Sequence, residues 1–191
     1  MRCEEDLKIA IHESVVDHGE GAVLFIDLDD FKHINDGLGH QYGDVLLKAI
    51  SSSLRKIPGV CSNCYRMGGD EFIILVTNQN YGYFEEILEG VVAIFSKPWS
   101  LKGAEYYCTM SMGVVRFPSD GTTVEDFFRK ADIALLEAKK CGKNRVEFYD
   151  ANVAQTDVKR LDMEKYMRAA SINPEEEFEV YYQPIFDISI P

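Results

Sequence analysis

The chain has 191 residues, of which 46% are hydrophobic and 12% aromatic, and it carries a formal net charge of −12 at pH 7. These values are typical of one folded globular domain with a short additional segment. The acidic charge argues against nucleic acid as the main partner, because phosphate backbones bind basic surfaces. No apolar run approaches the roughly 20 residues of a membrane helix, and the five cysteines are scattered, unlike a secreted disulfide framework. We therefore expect a cytoplasmic domain without a membrane segment, although a longer parent protein can be membrane-attached.

The first third of the chain alternates helical and strand patterns. Residues 4–17 place apolar side chains at helical spacing, which predicts a helix. Residues 22–28 are typical of a strand buried on both faces, and this strand leads into acids at positions 27, 29 and 30. A short helix is predicted over 30–38 and a longer one over 41–57. The longer helix has an apolar stripe of Tyr42, Val45, Leu46, Ala49, Ile50, Leu54 and Ile57.

Residues 64–76 have the pattern of a β-hairpin whose second strand, 72–76, is apolar throughout. Gly68 and Gly69 allow positive φ at both central positions of a tight turn. Asp70 and Glu71 follow, and we expect their side chains on opposite faces of the sheet. Two adjacent carboxylates beside a buried strand repel each other and resist desolvation, which suggests a bound metal.

The rest of the chain continues the alternation. We predict a helix over 83–95, a strand over 105–117, a helix over 123–141 ended by Gly142, a strand over 146–149 and a connecting helix over 151–173. The helix over 123–141 has a basic end, with Lys139, Lys140, Lys143 and Arg145. Taken alone, this end is explained by a favourable interaction with the helix dipole, worth about 0.3–1 kcal/mol at an exposed site. Together, the patterns predict an α/β fold.

Acids at the ends of two predicted strands suggest where a metal binds. Asp27 ends the strand over 22–28, and Asp70 lies just before the strand over 72–76. Side by side in one sheet, these carboxylates make a hard-oxygen site suited to Mg²⁺ or Mn²⁺, with water and substrate phosphate in the remaining positions. Palm-type nucleotidyltransferases use this geometry.

Two motifs resemble those of the GGDEF family of diguanylate cyclases. They are Phe-Ile-Asp-Leu-Asp-Asp-Phe-Lys-His-Ile-Asn-Asp-Gly-Leu-Gly-His-Gln-Tyr-Gly-Asp at 25–44 and Arg-Met-Gly-Gly-Asp-Glu-Phe at 66–72. The resemblance covers residues 1–150 and implies a palm or ferredoxin-like fold, with a mostly antiparallel sheet of about five strands flanked by helices. It also implies synthesis of cyclic di-GMP from two GTP molecules by a transient homodimer, with Mg²⁺ or Mn²⁺ as cofactor, in bacterial second-messenger signalling.

The resemblance also implies roles for individual residues. Asp27, the Leu28 carbonyl and Asp70 hold the metal, while Lys32, Asp70 and Glu71 serve catalysis. Glu71 either activates the attacking hydroxyl or completes the metal shell, and both roles stay open. The nucleotide is bound by Phe31, Lys32, Asn35, His40, Asp44, Gly68, Gly69, Lys139 and Lys143.

Some of these residues have a competing structural explanation. Without the motif, Asn35 would cap the following helix from the preceding turn, Asp44 would complement the dipole in that helix's first turn, and His40 would be a capping or packing residue. In the family, the matching Asn and Asp read the guanine edge, where a carboxylate accepts from N1–H and N2–H₂. The full motif favours nucleotide binding. Lys143 replaces the more usual Arg, which keeps the charge but loses bidentate geometry.

Residues 174–191 resemble the opening of an EAL phosphodiesterase domain, on the stretch Glu-Phe-Glu-Val-Tyr-Tyr-Gln-Pro-Ile-Phe-Asp at 177–187. This implies that a C-terminal EAL domain follows in the full-length protein. The alternative to catalysis is therefore a catalytically weak or inactive GTP-binding module that regulates the EAL domain. Such modules usually have a damaged GGDEF core. The core here is intact, so we favour catalysis.

Overall fold

The computed structural model describes residues 2–152. The chain divides into two units after Asp150, and the architecture below is that of the first unit, Met1–Asp150. The connecting helix predicted over 151–173 falls outside the described residues except at its first two positions. The EAL-like segment predicted at 174–191 lies wholly outside them.

The first unit contains both helices and strands. In chain order they are α1 Arg2–Val16, β1 Gly21–Leu28, α2 Phe31–Leu38, α3 His40–Leu54, β2 Cys64–Gly68, β3 Glu71–Val76, a 3₁₀ helix Asn78–Tyr83, α4 Phe84–Phe95, β4 Trp99–Leu101, β5 Ala104–Tyr106, β6 Met110–Phe117, α5 Val124–Lys140 and β7 Arg145–Phe148. Among the described residues, no helix has the length and apolar character needed to cross a membrane.

Five strands form the central sheet in the order β2-β3-β1-β6-β7. Every neighbouring pair is antiparallel except β6 and β7, which run parallel. Helices cover both faces, so the predicted α/β fold with a mostly antiparallel sheet of about five strands is confirmed. The two short strands β4 and β5 form a separate antiparallel hairpin.

The central strand β1 explains the continuous apolar run in its sequence. Leu24 and Ile26 pack in one core with residues of α3 and α4, whereas Val23 and Phe25 pack in a second core with residues of α1 and α5. Successive side chains of a strand point to opposite faces, so a strand between two helical layers needs apolar residues at every position. Asp27 continues the odd-numbered row, on the α5 side of the sheet.

The prediction of one strand over 105–117 is wrong, because two separate strands, β5 and β6, lie in this region. Residues Ala104–Tyr106 pair with Trp99–Leu101 around a turn in which Lys102 and Gly103 have φ of 57° and 76°. Positive φ at both central residues is the signature of a type I′ hairpin turn. The remainder, Met110–Phe117, pairs with β1 instead.

The apolar stripe predicted for α3 also needs correction. The helix ends at Leu54 rather than at 57, and Pro58 follows closely, which disfavours helical backbone before it. Val45 is 53% exposed, whereas Leu47 is buried. The face of α3 that packs on the sheet therefore lies partly to one side of the predicted stripe.

Candidate active site

Three acids meet at one end of the sheet, where β1 stops and the β2–β3 hairpin turns. Asp27 on β1 is the cross-strand partner of Glu71 on β3, so the two side chains share a face of the sheet. The Leu28 backbone N–H donates to the Asp70 carbonyl, with an N–O distance of 3.3 Å. The pairing thus holds the two acid-bearing segments side by side.

The turn of the hairpin differs from the prediction. Gly68 pairs with Glu71, so the two central residues are Gly69 and Asp70, and Gly69 alone of the two glycines has positive φ, at 51°. Positive φ at only the first central residue is that of a type II′ turn. Arg66 donates to the Gly69 carbonyl from Nε at 3.0 Å and from an Nη atom at 2.7 Å. These two hydrogen bonds, which stabilise the turn, were not predicted from the sequence.

Gly68 and Gly69 are both exposed at the hairpin tip. A Cβ atom added at either glycine would have nothing within 4 Å among the described residues. Gly68 has neither positive φ nor a close neighbour. Its lack of a side chain is therefore not required by the backbone or packing of the described residues, which leave open space above the turn.

Burial, and to a smaller extent charge repulsion, shifts the pKa values of two of these acids. Burial raises the pKa of Asp27 above its ordinary value, with smaller contributions from Asp70 and Asp29, even though Lys139 Nζ lies 2.8 Å from Asp27 Oδ1 and opposes the shift. Burial also raises the pKa of Glu71, and the charges of Asp27 and Asp70 add to this effect. A cation at this edge of the sheet would relieve the repulsion.

The chemistry of these donors fits a divalent metal shared with a nucleotide. Within residues 2–152, no three His, Cys, Asp or Glu side chains form a complete metal site. Mg²⁺, however, usually takes only one or two protein carboxylates, together with water and substrate phosphate. Asp27, Asp70 and the Leu28 carbonyl offer hard oxygens of this kind. The residues present therefore fit a metal that binds with its substrate rather than one caged by protein alone.

The basic end of α5 closes in a Schellman motif. The Lys143 N–H donates to the Ala138 carbonyl at 3.0 Å and the Gly142 N–H donates to the Lys139 carbonyl at 3.3 Å. Gly142 has φ of 109°, so its predicted place just after the helix is confirmed. The motif turns the chain so that Lys139 and Lys143 both lie beside the end of β1.

Three acids at the end of β1 and just after it, Asp27, Asp29 and Asp30, each bind a group from residues 139–144. Lys139 pairs with Asp27, Lys143 Nζ lies 2.7 Å from Asp30 Oδ1, and the Asn144 backbone N–H donates to Asp29 Oδ2 at 3.0 Å. We call this set of contacts the acid clasp. Because the lysines reach across to acids of another element, the helix dipole alone does not account for their position.

A second group of predicted residues lies on α2 and α3. Asn35 is inside α2 rather than in the turn before α3, which corrects the prediction. The residue before α3 is Gly39, and no side chain in the described part of the chain caps that helix, so the capping explanation for Asn35 is wrong. Asn35 Oδ1 is buried and has no hydrogen-bond partner among the described residues. A Cβ atom at Gly43 would overlap this oxygen.

The remaining predicted residues line the same two helices. Phe31, the first residue of α2, is buried, and its ring approaches Gly43 on α3. Lys32 is exposed in the first turn of α2, His40 is exposed as the first residue of α3, and Asp44 is exposed one residue beyond the first turn of α3. The first-turn position predicted for Asp44 is therefore off by one residue.

Asp29 was not among the predicted site residues, yet it is only 7% exposed. Its carboxylate accepts hydrogen bonds from Thr109 Oγ1 at 2.8 Å and Ser111 Oγ at 2.7 Å, besides the Asn144 N–H. The run of acids after β1 was visible, but it did not indicate which of them is buried.

The chain matches known proteins over most of its length. Residues 1–145 match the family model described as diguanylate cyclase, GGDEF domain. The chain is 33% identical over 190 residues to the cyclic di-GMP phosphodiesterase NbdA of Pseudomonas aeruginosa, covering 95% of this chain and 24% of NbdA. It is 30% identical over 184 residues to the bifunctional diguanylate cyclase/cyclic di-GMP phosphodiesterase MucR of the same organism, covering 96% of this chain and 27% of MucR. The chain thus spans about a quarter of the length of these relatives.

A solved structure agrees with the sequence matches. The GGDEF domain of TpbB (also called YfiN) from Pseudomonas aeruginosa has a TM-score of 0.73 and 28% identity, covering 80% of this chain and 90% of that one. Sequence and fold therefore lead to the same conclusion, and the chain belongs to the GGDEF family of diguanylate cyclase domains.

Proposed function

We propose that this domain synthesises cyclic di-GMP from two GTP molecules and that it does so as a transient homodimer in the cytoplasm. The observation that carries the proposal is the acid cluster at the sheet end, where Asp27 faces Glu71, with Asp70 in the adjoining turn and Lys139 at 2.8 Å from Asp27. Half-buried, mutually repelling carboxylates beside lysines suit a reaction that brings in a polyphosphate and its metal.

Each site residue has a role in this proposal. Asp27, Asp70 and the Leu28 carbonyl would hold Mg²⁺ or Mn²⁺, which when bound would neutralise charge on the triphosphate. Lys32, Lys139 and Lys143, with backbone N–H groups near Phe31, bind the phosphates. Asn35 and Asp44 bind the guanine edge, and His40 lies beside the nucleotide. The exposed Gly68 and Gly69 let the triphosphate approach the hairpin backbone.

The reaction is an attack by the 3′-hydroxyl of one GTP on the α-phosphorus of the other, with pyrophosphate as the leaving group. It occurs twice and closes the ring. Glu71 either accepts the hydroxyl proton or completes the metal shell, and its raised pKa is compatible with proton acceptance. The lysines stabilise the charge that develops on the phosphoryl oxygens.

The test is to incubate the purified chain with GTP and Mg²⁺ or Mn²⁺ and to measure cyclic di-GMP and pyrophosphate. The matched control is Asp70→Asn, which removes a carboxylate in the hairpin turn and, because it also removes repulsion with Asp27 and Glu71, should not lower the melting temperature. We expect this variant to lose at least about 100-fold in activity, because a metal-binding charge is lost. Near-normal turnover in a folded Asp70→Asn protein would refute the proposed site.

A second candidate function is a GTP-binding module that regulates a C-terminal EAL domain. Its support is that relatives of similar identity include a protein named as a phosphodiesterase and another named as bifunctional. We propose that residues 174–191 begin such a domain. GTP binding without any product, in a longer protein shown to be dimeric, would favour regulation over catalysis.

A further inference from the structure

We propose that Asp29 is a positioning residue that anchors the phosphate-binding loop, residues 141–144, and so fixes Lys143 for the substrate. This inference rests on the proposed function for the role of Lys143, whereas the anchoring itself is argued from hydrogen bonds within the domain.

The carboxylate of Asp29 joins three segments of the chain. Oδ1 accepts from Ser111 Oγ at 2.7 Å, and Oδ2 accepts from Thr109 Oγ1 at 2.8 Å and from the Asn144 N–H at 3.0 Å. The Asp29 N–H itself donates to the Thr109 carbonyl at 2.9 Å. A buried carboxylate with this set of donors is held in one orientation. Its Oδ2 atom, fixed in this way, in turn holds the Asn144 backbone of the loop.

The loop needs such an anchor because its backbone is unfavourable. Gly142, Lys143 and Asn144 have φ of 109°, 63° and 48°, respectively. Positive φ is easy for glycine and tolerated by Asn but strained for Lys, and a strained conformation persists only where the surroundings fix it. The Schellman hydrogen bonds fix the loop up to Lys143. The Asn144–Asp29 bond fixes the next residue, so Lys143 is held from both sides.

Asp29 is thus distinct from its neighbours in the acid clasp. Asp27 and Asp30 each face a lysine ammonium, whereas the three donors recorded for Asp29 are two hydroxyls and a backbone amide, all uncharged. What the loop requires from Asp29 is therefore an oxygen acceptor at the Oδ2 position. The negative charge is not itself required for that contact.

The variants Asp29→Asn and Asp29→Ala test whether the loop needs only an oxygen acceptor at this position. In Asp29→Asn the side-chain oxygen can still accept from Asn144 and Thr109, while its NH₂ group donates to the Ser111 hydroxyl. In Asp29→Ala the Asn144 N–H loses its acceptor. We expect Asp29→Ala to weaken binding of a non-hydrolysable GTP analogue with Mg²⁺ about tenfold, and Asp29→Asn to stay within about threefold of wild type. An Asn variant as defective as the Ala variant would overturn the proposal.

A double-mutant cycle with Lys143→Ala shows whether Asp29 acts through this lysine. If it does, adding Asp29→Ala to Lys143→Ala should reduce affinity by less than about twofold more, because the positioned group is already gone. Additive losses in the two variants would contradict the proposal, since a general structural defect adds to the loss of Lys143.

Amide hydrogen exchange tests the anchor without any nucleotide. The Asn144 amide should be protected in wild type, in Asp29→Asn and in Ser111→Ala, which removes only the bond to the other oxygen, and should exchange at least about tenfold faster in Asp29→Ala. If wild type binds no GTP analogue, the proposed function fails while the exchange data still decide the anchor. If Asp29→Ala does not fold, an unprotected Asn144 amide in the wild type would still refute the anchor.

Discussion

At the residue scale, the carboxylates at the paired ends of β1 and β3 repel one another. Burial and the charges of Asp27 and Asp70 raise the pKa of Glu71 above its ordinary value of 4.5. Ionising Glu71 therefore destabilises the folded state. This penalty is absent below the ordinary pKa, where Glu71 is protonated in both states, and it is complete above the folded pKa.

Glu71→Gln removes this charge and should raise the melting temperature at pH 8 in the absence of divalent metal. The gain should shrink as the pH falls towards 4, because protonated Glu71 resembles glutamine. Calorimetry at the two pH values measures the difference in melting temperature between the variant and wild type. The control is Glu105→Gln, at an exposed position of β5. A Glu71→Gln protein that is less stable than wild type at pH 8 would show that the repulsion has been overestimated.

Gly43 leaves room for the proposed guanine-binding residue. A Cβ atom at this position would overlap Asn35 Oδ1 and would lie 3.0 Å from the Phe31 ring. Gly43→Ala should therefore displace Asn35 and reduce the preference for GTP over ATP about tenfold. The control is Gly90→Ala in α4, where the added methyl group would lie 3.5 Å from Ile57, an ordinary contact. Unchanged selectivity in Gly43→Ala would remove Asn35 from the guanine site.

At the scale of elements, the end of α5 decides where the two lysines lie. Gly142 has φ of 109°, so Gly142→Ala should lower the free energy of unfolding by about 1–2 kcal/mol and should also weaken GTP binding. Gly37→Ala is the matched control, because it lies within α2, lacks positive φ and has nothing within 4 Å among the described residues. Equal denaturation midpoints for the two variants would contradict this account of the helix end.

Local sequence patterns predicted features that depend on a single element, but not the pairing between elements. The long apolar run of β1 and the glycine that ends α5 were predictable, because each is determined within one element. The prediction of one strand over 105–117 was wrong because the side-chain pattern does not show which strand each part pairs with. The first part pairs with β4, through the turn at Lys102, and the second part pairs with β1.

The acid clasp could not be predicted from spacing alone. Asp29 is separated from Thr109 by 80 residues and from Asn144 by 115, and Asp30 is separated from Lys143 by 113. The sequence shows an acidic run and a basic run, but only the sheet order, with β6 beside β1 and β7 beside β6, brings them together. The roles of Asn35 and Asp44 came from the motif rather than from any local pattern.

At the scale of the whole molecule, the proposed site residues provide one set of contacts for guanine and one set for metal and phosphate. The proposed site has one pair of guanine-binding residues, Asn35 and Asp44, and one cluster of acids and lysines at the sheet end. Cyclic di-GMP contains two guanylates, so we expect each domain to hold one GTP and catalysis to join two domains. A two-fold symmetric pair presents each 3′-hydroxyl to the other α-phosphate, and this positioning supplies much of the rate acceleration.

The dependence of rate on protein concentration tests this two-domain arrangement. A net charge of −12 makes copies of the chain repel each other, so we expect weak pairing and an initial rate at saturating GTP that rises with roughly the square of protein concentration. Fusing a dimeric coiled coil before Met1 should raise the specific activity and make the rate linear in protein, because pairing then no longer depends on concentration. A rate already linear where light scattering shows only monomer would mean that a single domain completes the reaction.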